Sequence, residues 1–376
     1  MELLGEDESL AHMFSSQLDR PVTDRKKSAS CCFRHKAYLT APSMKHHRSE
    51  GVAMSDRILV TGGAGFIGSA LVRRLVEEEH DVFVYDNFSS GILSNVKDII
   101  NRDHIIRGEV ESWKLTKSVS NIKPDLVFHL AADPYIPLSY EYPERFMRAN
   151  FQGTFNVIMA CRAFRVRRIL HFSTSEVYGS AQTVPMSENH PMSPHSVYAV
   201  SKVAADNLCR VLAKEQEVPV VVIRPFNTYG PRETHPYVIP EIISQLARSK
   251  NLVLGNLEAR RDFTYVDDIV RAVVMLAYRE GLEGEVINIG TGTDYSVREI
   301  AEKVGLIMRG GDIAISVEKS RLRPYDVPRL ICDNSKLNHL TGWRPEITFG
   351  EGLKRTVDWY RNNGSTWDWE RTYQNQ

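Results

Sequence analysis

The chain is poor in cysteine, carries no surplus of charge of either sign and contains no long apolar run. Cysteine stands at five of 376 positions (Cys31, Cys32, Cys161, Cys209 and Cys332). The number is odd, no pair has C-x-x-C spacing and no disulfide framework is evident, which reads as reduced thiols in a cytoplasmic protein. Basic and acidic side chains number 47 each. With no basic excess to neutralise a phosphate backbone, a sequence-independent grip on nucleic acid is not expected. No stretch approaches the ~20 apolar residues of a membrane span, and the start of the chain lacks the apolar core of a secretory signal. What remains is ordinary globular composition, 42% hydrophobic and 25% charged. At roughly 100–200 residues per domain, the length suits two or three domains or one large α/β unit with a lobe.

Residues 1–53 read as an N-terminal extension without a core of its own. Segments such as DRKKSAS and MKHHRSE have too few periodic apolar positions to offset the entropy of ordering. Acidic residues such as Glu2, Glu6 and Asp7 argue against an organelle transit peptide. The adjacent pairs Cys31–Cys32 and His46–His47 lack the spaced partners of a tetrahedral site, so no metal is expected.

From Arg57 the pattern becomes regular. Short β-branched runs at Ile58–Thr61, Val82–Tyr85, His104–Arg107, Asp125–Leu130, Ile169–Ser173 and Val220–Ile223 alternate with helical stretches. The helical stretches include Phe66–Glu79, Arg145–Phe164 and Tyr198–Gln216. Near-continuous apolar strands between helices predict a doubly wound parallel sheet of Rossmann type over 54–225. Beyond Pro225 prolines crowd and the rhythm loosens. Residues 226–376 are expected to be mostly a smaller substrate lobe, interleaved with the last pieces of the sheet, such as Val286–Ile289.

The first strand runs into Thr61-Gly62-Gly63-Ala64-Gly65-Phe66-Ile67-Gly68. Glycines at 62, 65 and 68, between a strand and a helix, suit a tight turn that a pyrophosphate can approach. The helix N-terminus then offers Phe66, Ile67 and Gly68 N–H groups to the phosphates. Asp86, followed by Asn87, closes the second strand, where a carboxylate accepts from ribose hydroxyls and repels a 2′-phosphate. That favours NAD over NADP, although an Asp-Asn pair also makes a plain turn.

A second constellation lies further on. Ser173-Thr174-Ser175-Glu176 follows a strand, and Tyr198 and Lys202 are four apart, on one helix face. An ammonium and a cationic nicotinamide would lower the phenol from its usual pKa of about 10, making Tyr198 a general base for an alcohol. Thr174 would hold the same oxygen. Alone, a Y-x-x-x-K pair is common on amphipathic helices; joined to the glycine loop and Asp86 in this order it becomes specific.

From about Arg57 to Trp359 the chain resembles the extended short-chain dehydrogenases/reductases that act on nucleotide sugars. The matching pieces are TGGAGFIG, the strand end YDN, HLAA at 129–132, STSEVYG, YAVSK, RPFNTYGP at 224–231, RRDFTYVDD at 260–268 and RPYDV at 323–327. The resemblance implies tightly held NAD that is reduced and reoxidised in each turnover, with Leu130, Ala131 and Ala132 beside it. It also implies a dimer built from two helices of each subunit. Asn227, Arg261 and Arg323 are then the residues expected on the nucleotide sugar, the arginines on its diphosphate.

Members of this family begin by oxidising the sugar C4 hydroxyl and then diverge. Epimerases return the hydride to the other face, 4,6-dehydratases expel the C6 hydroxyl, and uronate decarboxylases lose CO2. Glu176, two positions after Thr174, is the informative residue. Epimerases of the family usually have a small or neutral residue there, whereas dehydratases and decarboxylases resemble this chain in having Glu. Dehydratases of the dTDP-glucose kind place Asp before that Glu; here it is Ser175, as in those of the GDP-mannose kind. The segments LGNL at 254–257 and Arg261-Asp262 continue the GDP-mannose likeness. The resemblance therefore implies a 4,6-dehydratase in which Glu176 takes the C5 proton and Ser175 assists. A decarboxylase using Arg232 or His235 for the sugar carboxylate, a 4-epimerase and a non-catalytic dinucleotide sensor are the alternatives. Intact Tyr198 and Lys202 weigh against the last.

Overall fold

The computed structural model describes residues 55–322 and 326–364; the expected N-terminal extension and Arg323 lie outside the described residues. Strands β1 (Arg57–Thr61), β2 (Asp81–Asp86), β3 (Ile105–Arg107), β4 (Leu126–His129), β5 (Arg168–Phe172) and β6 (Val220–Pro225) follow one another in the chain. After β7 (Asn227–Tyr229), β8 (Asn251–Leu254) and β9 (Arg260–Tyr265), the strand β10 (Val286–Ile289) returns to the edge beside β6. The large sheet has the order β3-β2-β1-β4-β5-β6-β10, parallel throughout. Strand order reverses between β1 and β4, which pair Thr61 with His129 at their C-terminal ends. In such a sheet the crevice at the reversal is where a ligand sits.

The strands are parallel and central because they are apolar on both faces. Every residue of β4 and β5 is buried, as expected for strands covered by helices on either side. Helix α1 (Phe66–Glu77) packs Leu71, Val72 and Leu75 on one face of the sheet. Helices α2 (Lys114–Ile122), α3 (Gly153–Ala163) and α4 (Val197–Gln216) cover the other, with Leu115, Val119, Val157, Ile158, Cys209 and Leu212 in its core. α4 begins where the Ser196 hydroxyl accepts from Ala199 N at 3.1 Å, and ends at Glu217 in the left-handed region.

The remaining elements form a second layer. Helices α5 (Val238–Arg248), α6 (Val266–Ala277), α7 (Val297–Arg309), α8 (Ser335–Thr341) and α9 (Phe349–Asn363) alternate with strands β11 (Asp294–Ser296), β12 (Ala314–Val317) and β13 (Arg329–Leu330). β9 carries β11, β13 and β7 on its edges, while β8 pairs β12. The α7 start is specified locally by a capping box between Ser296 and Glu299. α6 instead contributes Ile269, Val270 and Val273 to the core beneath α1, so this part of the chain is woven back into the large sheet.

Two departures from the periodicity reading have physical causes. The expected helix 145–164 is interrupted: a wide π turn runs through Met147–Gln152 before α3 begins at Gly153. The turn carries the wholly buried Asn150, which binds Asp133 and Ser201, and inward polar residues are what amphipathic spacing does not register. Beyond Pro225, α5, α6, α8 and α9 add helices that the loosened rhythm does not announce.

Candidate active site

A cleft of about 1400 Å³ opens over the C-terminal ends of the sheet. It exceeds the 300–1000 Å³ typical of a single small ligand, and has room for two. Its floor at one end is the glycine loop. Gly62 has a φ of +72°, and a Cβ there would meet Ala131 N at 2.6 Å. Gly68 packs directly on the Gly62 carbonyl, so a side chain would push helix from strand. Gly65 differs: a Cβ there would approach only the Gly62 oxygen, at 3.3 Å, and would otherwise extend into open space. It is the N-cap of α1, with no capping side chain and no acidic residue in the first turn. The first helical N–H groups, at Phe66, Ile67 and Gly68, thus have no intrahelical acceptor and line the cleft. A cradle that a Cβ would fill, lined by free donors, fits a dinucleotide pyrophosphate.

Asp86 is buried at the tip of β2. One carboxylate oxygen accepts from Ala64 N at 2.9 Å, the other from Phe88 N at 2.8 Å. Burial raises its pKa and these two N–H groups oppose the rise. The turn-forming and ribose-binding readings are thereby compatible, because each oxygen retains a second lone pair and the residue lines the cleft. Asn87 closes its own turn onto Ser89 N at 2.9 Å and also faces the cleft, as do Leu130, Ala131 and Ala132.

Thr174, Ser175 and Glu176 occupy a short turn, Ser175–Tyr178, immediately after β5. The Thr174 hydroxyl accepts from Glu176 N at 3.2 Å. Thr174 and Ser175 are buried, while Glu176 is half-buried; all three line the cleft with Tyr198 and Lys202. The tight turn thus brings the carboxylate toward the tyrosine instead of releasing it to solvent. Burial raises the Tyr198 phenol well above its usual value, hydrogen bonding by Thr174 offsets part of that, and the Glu176 charge adds to it. Among protein groups alone, then, the phenol is not lowered as the sequence suggested, because burial outweighs its neighbours. Lys202 donates to the Phe172 carbonyl at 2.5 Å, and burial brings it down to about 8 despite Cys209 and Asp206.

A buried polar chain ties this helix to the cofactor end. Thr61 Oγ1 and Thr154 Oγ1 lie 2.8 Å and 2.9 Å from the two ring nitrogens of His129. Asn150 then bridges Asp133 N at 2.8 Å and Ser201 Oγ at 2.9 Å, and Ser201 donates to the Tyr198 carbonyl at 2.7 Å.

The substrate side is assembled from distant segments. Asn227 opens β7 beside Phe263 and lines the cleft. Arg261, also in the lining, is buried; its guanidinium donates to the Val327 carbonyl at 2.6 Å and to Asp326 at 3.2 Å. Asp326 in turn accepts from Asn256 at 2.8 Å. His235, offered by the sequence for a sugar carboxylate, lies in the same wall with two rings the sequence did not point to: Tyr135 stacks on it at 5.6 Å and meets Tyr237 edge-on at 5.8 Å. Sequence reasoning also passed over Glu233, a buried carboxyl in the lining whose pKa burial drives well up. The usable signal was position, since Glu233 and His235 follow directly on the RPFNTYGP segment. Ser173 was noted only as a strand end, yet its buried hydroxyl has no hydrogen-bond partner and lines the cleft. Among the described residues no group of His, Cys, Asp and Glu is arranged to hold a metal ion.

Comparison with known proteins agrees with this geometry. The model of the GDP-mannose 4,6 dehydratase family matches residues 59–356. A dTDP-D-glucose 4,6-dehydratase of Mus musculus is 30% identical, over 88% of this chain and 95% of its own length. A UDP-glucose 4-epimerase of Mycolicibacterium smegmatis is 33% identical, over 81% and 99%. A UDP-N-acetyl-alpha-D-glucosaminuronate decarboxylase of Bacillus cytotoxicus is also 33% identical, over 82% and 98%. Among solved structures, a UDP-glucose 4-epimerase of Thermus thermophilus in complex with NAD superposes with a TM-score of 0.74 at 30% identity, covering 82% of this chain and 99% of that one. A dTDP-glucose 4,6-dehydratase of Bacillus anthracis, also with NAD, gives 0.73 at 29% identity, over 83% and 98%.

Proposed function

Because the chain belongs to the GDP-mannose 4,6 dehydratase family, within the extended short-chain dehydrogenases/reductases that act on nucleotide sugars, we propose that it is an NAD-dependent nucleotide-sugar 4,6-dehydratase. One observation carries this reading: Glu176 is folded back by the Thr174 turn into the cleft that holds Tyr198. An epimerase needs no second carboxylate there.

NAD would lie with its pyrophosphate on Gly65, Phe66, Ile67 and Gly68, its adenosine ribose at Asp86 and Asn87, and Leu130–Ala132 alongside; when bound it accepts and returns the sugar hydride. Thr174 and Tyr198 hold the 4-oxygen, and Tyr198 takes the 4-hydroxyl proton once a cationic ring in the cleft offsets the cost of burying a phenolate. Lys202, anchored on the Phe172 carbonyl, fixes the helix turn below the phenol. Glu176 removes the C5 proton made acidic by the 4-ketone. The C6–O bond breaks, and the hydroxyl leaves as water with a proton delivered by Glu176 or through Ser175. Glu176 returns a proton to C5 as the hydride goes to C6, and Tyr198 releases the 4-hydroxyl proton, so that two protons are taken and two are given back. Asn227 and Arg261 hold the nucleotide diphosphate, with Arg323 as a further candidate. Residues from 226 onward supply most of this substrate side.

The rival decarboxylase needs a cation for the sugar carboxylate; neither of the two groups the sequence offers supplies it, whereas Arg148 and Arg145, the latter paired with Asp133, do line the cleft. Arg232 stacks over the Trp359 ring at 5.6 Å, outside the cleft lining. His235 is in the lining, but burial and the nearby Arg145 lower it to about 4, so it is neutral at pH 7. Two residues before it in the chain, the buried Glu233 carboxyl also lines the cleft.

A panel of UDP-, GDP- and dTDP-hexoses, with UDP-glucuronate, tests the assignment. A 4-keto-6-deoxy product lighter by one water is expected. A C4 epimer of unchanged mass, or a pentose with CO2, overturns it. Glu176→Gln should still reduce bound NAD transiently while water loss slows on the order of 100-fold or more.

The same reading includes a homodimer. Phe155 on α3 and Val200 and Val211 on α4 are exposed apolar residues on two neighbouring helices, which suits a dimer built from two helices of each subunit. Light scattering should give twice the chain mass. The buried, free thiols of Cys161, Cys209 and Cys332 accord with a cytoplasmic setting.

A further inference from the structure

A charged cluster lies behind the cleft, and neither the glycine loop nor the Tyr198–Lys202 pair accounts for it. Arg224, in β6, is 1% exposed, and Asp206, Tyr178 and Asn288 are fully buried. Its Nε and one terminal nitrogen grip the Asp206 carboxylate at 2.8 Å and 2.9 Å. The other terminal nitrogen donates to the Tyr178 hydroxyl at 2.9 Å, with the Glu188 carbonyl at 3.3 Å. Tyr178 donates onward to the Asn288 side-chain oxygen at 2.6 Å, and Asn288 is the β10 residue paired with Arg224 across the sheet. The Asn288 amide closes the cluster on the Met186 carbonyl at 3.0 Å, while the Glu188 carboxylate accepts from Asn288 N at 2.9 Å.

The partners sit on both halves of the catalytic constellation. Asp206 is one turn beyond Lys202 on α4, and Tyr178 is two residues beyond Glu176 in the turn after β5. A guanidinium is planar, so its fork fixes the directions of both partners at once, which apolar packing or a lysine does not do. A buried ion pair is weak evidence for stability, and register is the better-attested use of such pairs. We propose that Arg224, with Asp206, Tyr178 and Asn288, is a positioning hub that sets Glu176 at its working distance from the Tyr198–Lys202 pair. The proposal rests on the dehydratase reading for its kinetic consequence, but not for its structural one.

Tyr178→Phe in the full-length protein is the test, because it keeps the ring and the Arg224–Asp206 pair and removes only the link to the turn. With the productive nucleotide hexose, reduction of bound NAD should proceed near the wild-type rate. Water loss should slow by about 10- to 100-fold, the effect of a misplacement on the order of 1 Å, so that reduced cofactor accumulates in a single turnover. Leu212→Ala, a cavity in the same helix away from the cluster, should show no such split. Amide hydrogen exchange supplies a readout independent of the reaction: the Ser175–Tyr178 turn should exchange faster in Tyr178→Phe, with α4 unchanged. Equal slowing of both steps, or unchanged exchange in the turn, overturns the hub. Faster exchange in a protein whose wild type only epimerises would retain the hub and overturn the dehydratase reading.

Discussion

The two ends of the cleft are built in opposite ways. At the cofactor end a contiguous run, Gly62 to Gly68, makes the turn, the cradle and the helix start, and its partners are Asp86, the last residue of β2, and Ala131, two residues beyond β4, the two strands flanking β1. At the substrate end, Tyr135, Glu176, Asn227, Glu233, His235 and Arg261 come from four separate stretches of chain. The cofactor end relies on backbone groups and on the absence of side chains, so its tolerance is set by sterics. The substrate end relies on buried and half-buried polar side chains, so its tolerance is set by charge and hydrogen bonding. A ligand common to many reactions meets rigid backbone, whereas the group that distinguishes reactions meets replaceable side chains.

Substitutions at the two ends should therefore fail differently. The largest effect is expected at the junction. Tyr198→Phe should lower turnover by 10²- to 10⁴-fold and abolish transient NAD reduction, read as the near-ultraviolet absorbance of the reduced ring. Tyr198→Phe that still reduces NAD at the wild-type rate would remove the phenol from the mechanism. Next, Gly68→Ala drives a Cβ onto the Gly62 carbonyl. It should cost about 1–3 kcal/mol in denaturant unfolding and weaken NAD binding, whereas Gly350→Ala, where a Cβ meets nothing within 4 Å, should leave NAD binding unchanged.

At the substrate end the signature is pH. His235 is buried neutral with its pKa lowered to about 4, while an unfolded histidine titrates near 6.5. Between those values the unfolded chain binds the extra proton, so stability is lost as pH falls from about 6.5 toward 4. His235→Gln should make the stability–pH curve shallower in that window, by up to roughly 1.4 kcal/mol per pH unit. An unchanged slope would mean that the ring is not held neutral by its wall. The smallest effect belongs away from both ends. The Arg298–Glu258 pair, 3.1 Å apart and well exposed on both sides, should change stability by less than about 1 kcal/mol on Arg298→Ala.

Legibility in the sequence followed the same division. The glycine loop, the Asp86 tip, the Thr174 turn and the Tyr198–Lys202 face could be read because each depends on spacing within one element or turn. Arg261 was identified as a cleft residue, but its ties to Asp326 and Val327 were not, because they cross more than sixty residues of chain. Asn150 was hidden inside what looked like a continuous helix. Glu233, Tyr135 and Tyr237 had no motif of their own, and His235 was named without its ring partners, since their surroundings are made by loops folding together. The position of Arg232 over Trp359 likewise follows from where α9 packs.

By itself the sequence determined the doubly wound sheet, the dinucleotide loop and which of the Thr174, Glu176, Tyr198 and Lys202 side chains to look for in the cleft, because apolar periodicity, glycine placement and helical spacing act over a few residues at a time. Only the tertiary structure decided which charges line the cleft, which are turned away from it, and that Arg224 joins α4 to the Glu176 turn. Those outcomes depend on burial and on partners brought from afar, and burial is a property of the folded chain.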